Sequence, residues 1–356
     1  MFHRESGYYK TTYAGDFALY PLPIARWSVI GFALLFFIIV PLFVDSYYIT
    51  MLNLVGIAIV GALGLNILLG LTGQISIGHA AFMSVGAYTA ANLATRFDLP
   101  FYITLPAGGL MAAAIGIIVG FPSVRIKGLY LAISTLAAQF IIDWFIIHTP
   151  AISGGASASI QVPRPWIFGE QLDTQVELYL FILSVVTIAI VASLNIARSR
   201  IGRAFVAIRD QDIAAEIIGI NVHRYKLTAF AISSFYAGVA GVLYTYYSGV
   251  ANNEFFPLLI SIDYLAMVII GGMGSVLGAI FGATFVTLLP IVIDLVMSSI
   301  GPYLMGDTSA LSGLKSHLRL VVFGGLIMFF LVVEPEGLNR LWLNIRNYFR
   351  VWPFSY

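Results

Sequence analysis

The stretch Asn195–Lys226, NIARSRIGRAFVAIRDQDIAAEIIGINVHRYK, is the longest polar interruption in a chain that otherwise reads as a series of apolar runs. It carries Arg198, Arg200, Arg203, Arg209, Arg224 and Lys226, six of the 18 basic residues. Loops enriched in Lys and Arg stay on the cytoplasmic side of a bilayer, so this loop is predicted inside and orients the rest. Within it, Asp210–Ile218 reads as a short helix. Asp210 and Asp212 suit a first turn, where free backbone N–H groups and the helix dipole favour negative charge. Ile213 and Ile217 fall four apart on one face, and Gly219 is placed to end the helix in a left-handed cap. Such a helix is either a docking peg for a partner or a segment lying on lipid headgroups.

The composition agrees with a polytopic membrane protein: 60% of residues are hydrophobic and 10% charged, against roughly 25% charged in soluble domains. A net charge of +1 gives no reason to expect a nucleic-acid partner. Cysteine is absent and the five histidines are scattered, so thiol chemistry is excluded and a metal centre is not expected. GxxxxGK[ST] does not occur, so the chain is not expected to be an ATPase or to hold a nucleotide or other cofactor.

Apolar runs of the length that crosses a bilayer, about 20 residues, set the predicted fold class: all-α, with about ten transmembrane helices, some broken or short. The runs are Trp27–Val44, Ile49–Gly70, His79–Ala94, Pro100–Phe121, Gly128–Ile147, Gln175–Ile196, Leu227–Gly249, Leu258–Gly271, Ser275–Leu295 and Leu320–Val333. Residues 1–26 and 334–356 are then tails on either side of a membrane-spanning domain over 27–333. Ten crossings put both tails and the basic turn Pro122–Lys127 on the cytoplasmic side, and the Ser-, Gly- and Pro-containing segment His148–Thr174 outside.

Two glycine-rich breaks interrupt this pattern, GLTGQISIGHAAF at Gly70–Phe82 and IIGGMGSVLGAIFG at Ile269–Gly282. Irregular backbone at membrane depth is tolerated where it is buried in protein or lines a wet cavity, and paired breaks point to a transport path. Gly278 and Gly282, four apart, also allow close helix approach. Gln74, Ser76 and His79 in the first break, with Thr135 and Gln139 in the fifth run, are candidate path residues; the alternative is that they bond between helices. Asp263 should face protein or water, since a charge at the bilayer centre costs about 2.5–3.5 kcal/mol on insertion scales. No continuous acid or histidine relay is apparent, which weighs against a stand-alone ion-coupled carrier. A membrane scaffold without a solute path is the remaining alternative.

GLTGQISIGHAAFMSVGAYTAA at Gly70–Ala91, the block Gly202–Tyr244, LAMVIIGGMGSVLGAIFGA at Leu265–Ala283 and EPEGL at Glu334–Leu338 together resemble the permease subunit of bacterial branched-chain amino acid ABC importers, the LivM type. The resemblance covers about Leu52–Leu338. It implies a second homologous permease subunit, two ATP-binding subunits that hydrolyse the ATP, a periplasmic substrate-binding protein and a place in the bacterial inner membrane. It also implies that the helix at Asp210–Ile218 couples to the ATPase, with Arg203, Arg209, Asp210, Ile213, Ile217 and Gly219 as candidate coupling residues. The wider importer class carries EAA-x-x-x-G in this loop; Ala214, Ala215 and Gly219 match it, while Ile213 stands where Glu is expected. Leucine, isoleucine and valine are the expected solutes, with urea, amides or small carboxylates as alternatives.

Overall fold

The computed structural model describes residues 11–12, 23–123, 128–155, 158–167, 170–172, 174–304, 321–322, 324–325, 328–329, 332 and 337–351. Half of the predicted tenth run, most of the amino-terminal tail and the charged part of the Pro122–Lys127 turn lie outside these residues. Helix α1 (Pro23–Leu34) passes through a π-helical turn, Leu35–Ile39, into α2 (Val40–Phe43). Then come α3 (Ser46–Leu65), extended by a second π-helical turn at Asn66–Leu71, α4 (His79–Arg96), α5 (Phe101–Ser123) and α6 (Leu129–His148). The short α7 (Pro150–Ser153) precedes α8 (Gln175–Arg198), α9 (Arg200–Asp210), α10 (Asp212–Ile217), α11 (Val222–Ser248), α12 (Leu258–Gly271), α13 (Val276–Leu304) and α14 (Gly337–Val351).

Seven helical segments among the described residues are long and apolar enough to cross a membrane, centred on α3, α5, α6, α8, α11, α12 and α13. The predicted third crossing is α4. It is a helix of 18 residues that is not among these seven, and its serine and threonine hydroxyls are satisfied within it. Ser84, Thr89 and Thr95 donate their hydroxyls to the carbonyls of Ala81, Val85 and Ala91 at 2.7–2.8 Å, the back-bonding that lets Ser and Thr sit inside a helix.

Helix α3 occupies the centre. From Leu54 to Leu65 it is apolar on every side, as a helix must be when nothing around it is water. Its small residues let three neighbours approach. A Cβ at Gly56 would lie 3.2 Å from Ile182 and Val186 of α8, one at Gly61 would lie 2.5 Å from the Tyr264 ring of α12, and one at Gly64 would lie 2.5 Å from Tyr236 of α11. Small residues at such crossings replace the hydrophobic driving force that a lipid solvent does not supply. The predicted close approach through Gly278 and Gly282 is present between α12 and α13, where a Cβ on Gly282 would lie 1.8 Å from the Met267 carbonyl oxygen.

The segment 148–174, expected as a loop, contains strands. β1 (Ser159–Gln161) pairs antiparallel with β4 (Val250–Asn252), and β2 (Trp166–Ile167) pairs with β3 (Glu170–Gln171). Backbone lying over the end of a bundle still needs hydrogen-bond partners, and the segment after α11 supplies them. At the other extreme of the chain, Gly337 is buried with φ +68°, and a Cβ there would lie 2.6 Å from the Gly272 nitrogen and the Ile270 carbonyl. The first residue of α14 thus seats on the second glycine break.

Candidate functional site

The first break begins where α3 ends in its π-helical turn. Gly73, at φ +69°, turns the chain, and residues 74–78 run irregularly to the start of α4 at His79. The first N–H groups of a helix have no partner inside it. Here side chains from two other helices provide them. Ala80 N–H donates to Ser261 Oγ of α12 at 2.8 Å and Ala81 N–H to Gln139 Oε1 of α6 at 2.9 Å. Just before the helix, Ile77 N–H donates to Thr135 Oγ1 at 3.0 Å.

Gln139 is bonded on every side. Its amide nitrogen donates to Asp143 Oδ2 at 3.0 Å and to the Phe256 carbonyl at 3.3 Å, while Oε1 also accepts from Ser261 at 3.3 Å. The Gln74 amide nitrogen reaches Thr72 Oγ1 at 3.0 Å and the Lys226 carbonyl at 3.4 Å. Ser76 Oγ accepts from Gly78 N–H at 3.4 Å. The His79 ring lies 5.1 Å from that of Tyr264. The five predicted path residues are therefore brought together around one break. None is more than 3% exposed, and most of their polar atoms bond between helices. Two atoms, Gln74 Oε1 and His79 Nε2, are buried without a hydrogen-bond partner.

The basic loop forms two helices where one was expected. Helix α9 buries Ala204, Phe205 and Ile208 and runs to Asp210, closed by Gln211 N–H on the Ala207 carbonyl at 3.1 Å. Asp210 therefore ends α9 instead of opening the next helix. Its N–H is already spent, and Gln211, extended at φ −157° and ψ 97°, is the break. Helix α10 spans Asp212–Ile217 in place of Asp210–Ile218. Gly219, at φ +90°, caps it as expected: Ile220 N–H reaches the Ala215 carbonyl and Gly219 N–H that of Glu216, both at 3.0 Å, the Schellman pattern.

Helix α10 is held by Ala215, 2% exposed, and by Asp212, whose Oδ2 lies 3.7 Å from Lys226 Nζ. Its apolar face is uncovered, with Ile213 64%, Ile217 81% and Ile218 74% exposed. Arg203 turns back to the Arg198 carbonyl at 3.0 Å. Arg209 turns inward, donating from Nη1 to the Gly70 carbonyl at 2.9 Å while also pairing with Asp210. Between loop and break lies a polar cavity of about 240 Å³, lined among others by Thr72, Gln74, Arg209, Asp212 and Lys226.

Sequence reasoning missed Asn66, Ser261 and Lys226. Asn66, 2% exposed, holds the second break: its Oδ1 accepts from Gly274 N–H at 2.8 Å and its Nδ2 donates to the Ser275 carbonyl at 3.1 Å. A buried asparagine in an apolar run was the available signal.

The profile of the family described as "Branched-chain amino acid transport system / permease component" matches residues 47–331. The chain belongs to this permease family. The permease is 32% identical over 333 residues to the high-affinity branched-chain amino acid transport system permease protein LivM of Escherichia coli K12, a match spanning 86% of this chain and 74% of that protein. It is 25% identical over 296 residues to the LivH protein of Salmonella typhimurium, spanning 78% of this chain and 89% of that one. It is 26% identical over 253 residues to a probable LivM of Methanocaldococcus jannaschii, 64% of this chain and 66% of that one. No solved structure matches the permease. Family and apolar helices together make it a multi-pass membrane transport subunit.

Proposed function

We propose that this permease subunit serves an ATP-driven importer for branched-chain amino acids in a bacterial inner membrane. Its basic loop and both termini face the cytoplasm. It pairs with a second homologous permease, two ATP-hydrolysing subunits and a periplasmic binding protein. That relatives named LivM and LivH both match this chain supports the pairing. The observation that carries the reading is the uncovered face of α10: Ile213 and Ile217 stand exposed on a helix fixed at both ends. In this reading they seat in the ATPase. Burying a branched aliphatic side chain contributes about 1.5–3 kcal/mol, whereas an exposed ion pair is worth about 1 kcal/mol or less, so the isoleucines outweigh Arg203. The first break, with Gln74, Ser76, His79, Thr135 and Gln139, borders the solute path, and the cavity beside it opens toward the loop.

The test is uptake by the reconstituted complex, in proteoliposomes, from a panel of leucine, isoleucine, valine, urea, amides and small carboxylates. ATP-dependent uptake of the three branched amino acids is expected. Ile217→Asp is expected to abolish ATPase binding while the chain still folds, because that side chain touches no other part of the core. Arg203→Ala should weaken binding mildly and in a salt-sensitive way. Ion-driven accumulation by the chain alone would overturn the proposal, as would wild-type ATPase binding by Ile217→Asp.

A further inference from the structure

At the end of α3 the Gly70 carbonyl is met by a donor from outside the helix. In the π-helical turn the Leu69 carbonyl accepts from both Thr72 and Gly73 N–H, and the Leu68 carbonyl from Gln74 N–H. The Gly70 carbonyl takes its hydrogen from Arg209 Nη1, 2.9 Å away on the basic loop. The arginine fits there because two glycines, Gly73 and Gly274, make room, while Gly70 lets the two breaks themselves approach. A Cβ on Gly73 would lie 3.1 Å from Arg209 Cγ, and one on Gly274 would lie 3.1 Å from Arg209 Nη1 and from the Gly70 oxygen. A Cβ on Gly70 would lie 2.3 Å from both the Gly274 nitrogen and Asn66 Oδ1. The stem of Arg209 thus lies on the first break and its head sits between the first break and the second. Asn66 clamps the second from the opposite side, through Gly274 and Ser275. Three segments far apart in sequence meet at a single guanidinium.

We propose that Arg209 is a positioning residue that ties the docking loop to both glycine breaks, so that movement of the loop is transmitted to them together. This deepens the functional reading above and rests on it. A loop arginine that merely fixed the approach of a partner would point outward. Arg209 instead spends one nitrogen on a backbone carbonyl inside the bundle, and only its other contact, to Asp210, stays on the loop. A charged donor on a carbonyl is one of the stronger hydrogen bonds available, and a carbonyl at a helix end cannot find another protein donor without rearrangement.

The experiment uses the reconstituted complex with Arg209→Ala, Arg209→Lys and Asp210→Ala, and reads amino acid uptake per ATP hydrolysed. A second readout is the reaction rate of a maleimide with a single cysteine introduced at Thr72, compared with and without ATP. Thr72 lines the cavity beside Arg209, and the chain has no cysteine of its own. Arg209→Ala should keep hydrolysing ATP while uptake per ATP falls by at least about tenfold, the lower end of what one hydrogen bond from a charged donor is worth. Its cysteine rate should become indifferent to ATP. Arg209→Lys, which keeps a donor without the fork, should recover part of both, and Asp210→Ala, which removes only the ion pair on the loop and leaves the Gly70 carbonyl its donor, should lose less than Arg209→Ala. Wild-type coupling in Arg209→Ala overturns the tie. So does an equal loss in Asp210→Ala, which would make the ion pair on the loop the important contact, or a wild-type cysteine rate that ignores ATP. A wild-type complex that hydrolyses ATP but moves no amino acid overturns the functional reading alone, because the cysteine rates still test the tie.

Discussion

The two glycine breaks solve one problem with opposite means. At the first, freed backbone groups are met by side chains: Thr135 and Gln139 from α6 and Ser261 from α12 accept from Ile77, Ala81 and Ala80. At the second, the chain is sealed mainly by contact of backbone with backbone, Gly271 against Gly278, Gly282 against Met267 and Gly337 against Gly272, with Asn66 as the side-chain clamp. The first should therefore be sensitive to the loss of a hydrogen-bonding group as well as to crowding at Gly70 and Gly78, where a Cβ would lie 2.3 Å from the Gly274 nitrogen and 2.6 Å from the Thr135 carbonyl oxygen. The second should be intolerant of a single added methyl. Hydrogen bonds are exchangeable among polar groups of suitable reach, whereas a methyl set against a backbone atom has nowhere to go.

The largest expected effect is at the second break. Gly282→Ala puts a Cβ 1.8 Å from the Met267 carbonyl oxygen, closer than any relaxation of a side chain can relieve. The loss should exceed the about 1–3 kcal/mol usual for overpacking, and the purified chain in detergent should show no folded monodisperse peak. Next is Gln139→Leu, near in size but unable to bond. It strands the Ala81 N–H and the Phe256 carbonyl, with an expected loss of about 1–3 kcal/mol for an unsatisfied buried group, read as a lowered thermal midpoint. The smallest is Ser261→Ala, which removes the acceptor for Ala80 N–H and should cost about 0.5–2 kcal/mol, the range of a lost helix cap. The comparison fails if Ser261→Ala proves as damaging as Gly282→Ala. It sharpens if Gln139→Asn, which keeps both a donor and an acceptor beside Asp143, restores part of what Gln139→Leu loses.

Much of this was legible in the residues. Runs of apolar sequence marked the crossings, the glycine clusters marked the breaks, and Gly219 marked the end of the loop helix, because each of these is a local property. The fold keeps the breaks and the cap, and seven of the ten runs are helices long and apolar enough to cross among the described residues. What was not legible depends on partners distant in sequence. Asn66 and Ser275 are 209 positions apart, and no periodicity in either neighbourhood announces that one will clamp the other. Gln74, Thr135 and Gln139 could be gathered as polar residues at membrane depth, but their division between hydrogen bonding and solute contact is set by geometry. The loop shows a third case. Asp210 and Asp212 are equally good first-turn residues in isolation, and the choice between them fell to the packing of Phe205 and Ile208, which carries α9 through to Asp210. The direction of Arg209 was likewise decided by room made at Gly73 and Gly274.

The seat of Gly337 on the second break has a consequence for biogenesis. Synthesis runs from the amino terminus, and chain elements settle as they emerge. Helices α12 and α13 therefore leave the ribosome before the residue that covers the turn between them. Until Gly337 arrives, the Gly272 backbone is open on that side, and any nascent chain stalled short of it carries an unsealed turn. A quality-control protease that recognises exposed irregular backbone would then have a means of telling an unfinished permease from a finished one, at a point where every crossing from α3 to α13 is already in place.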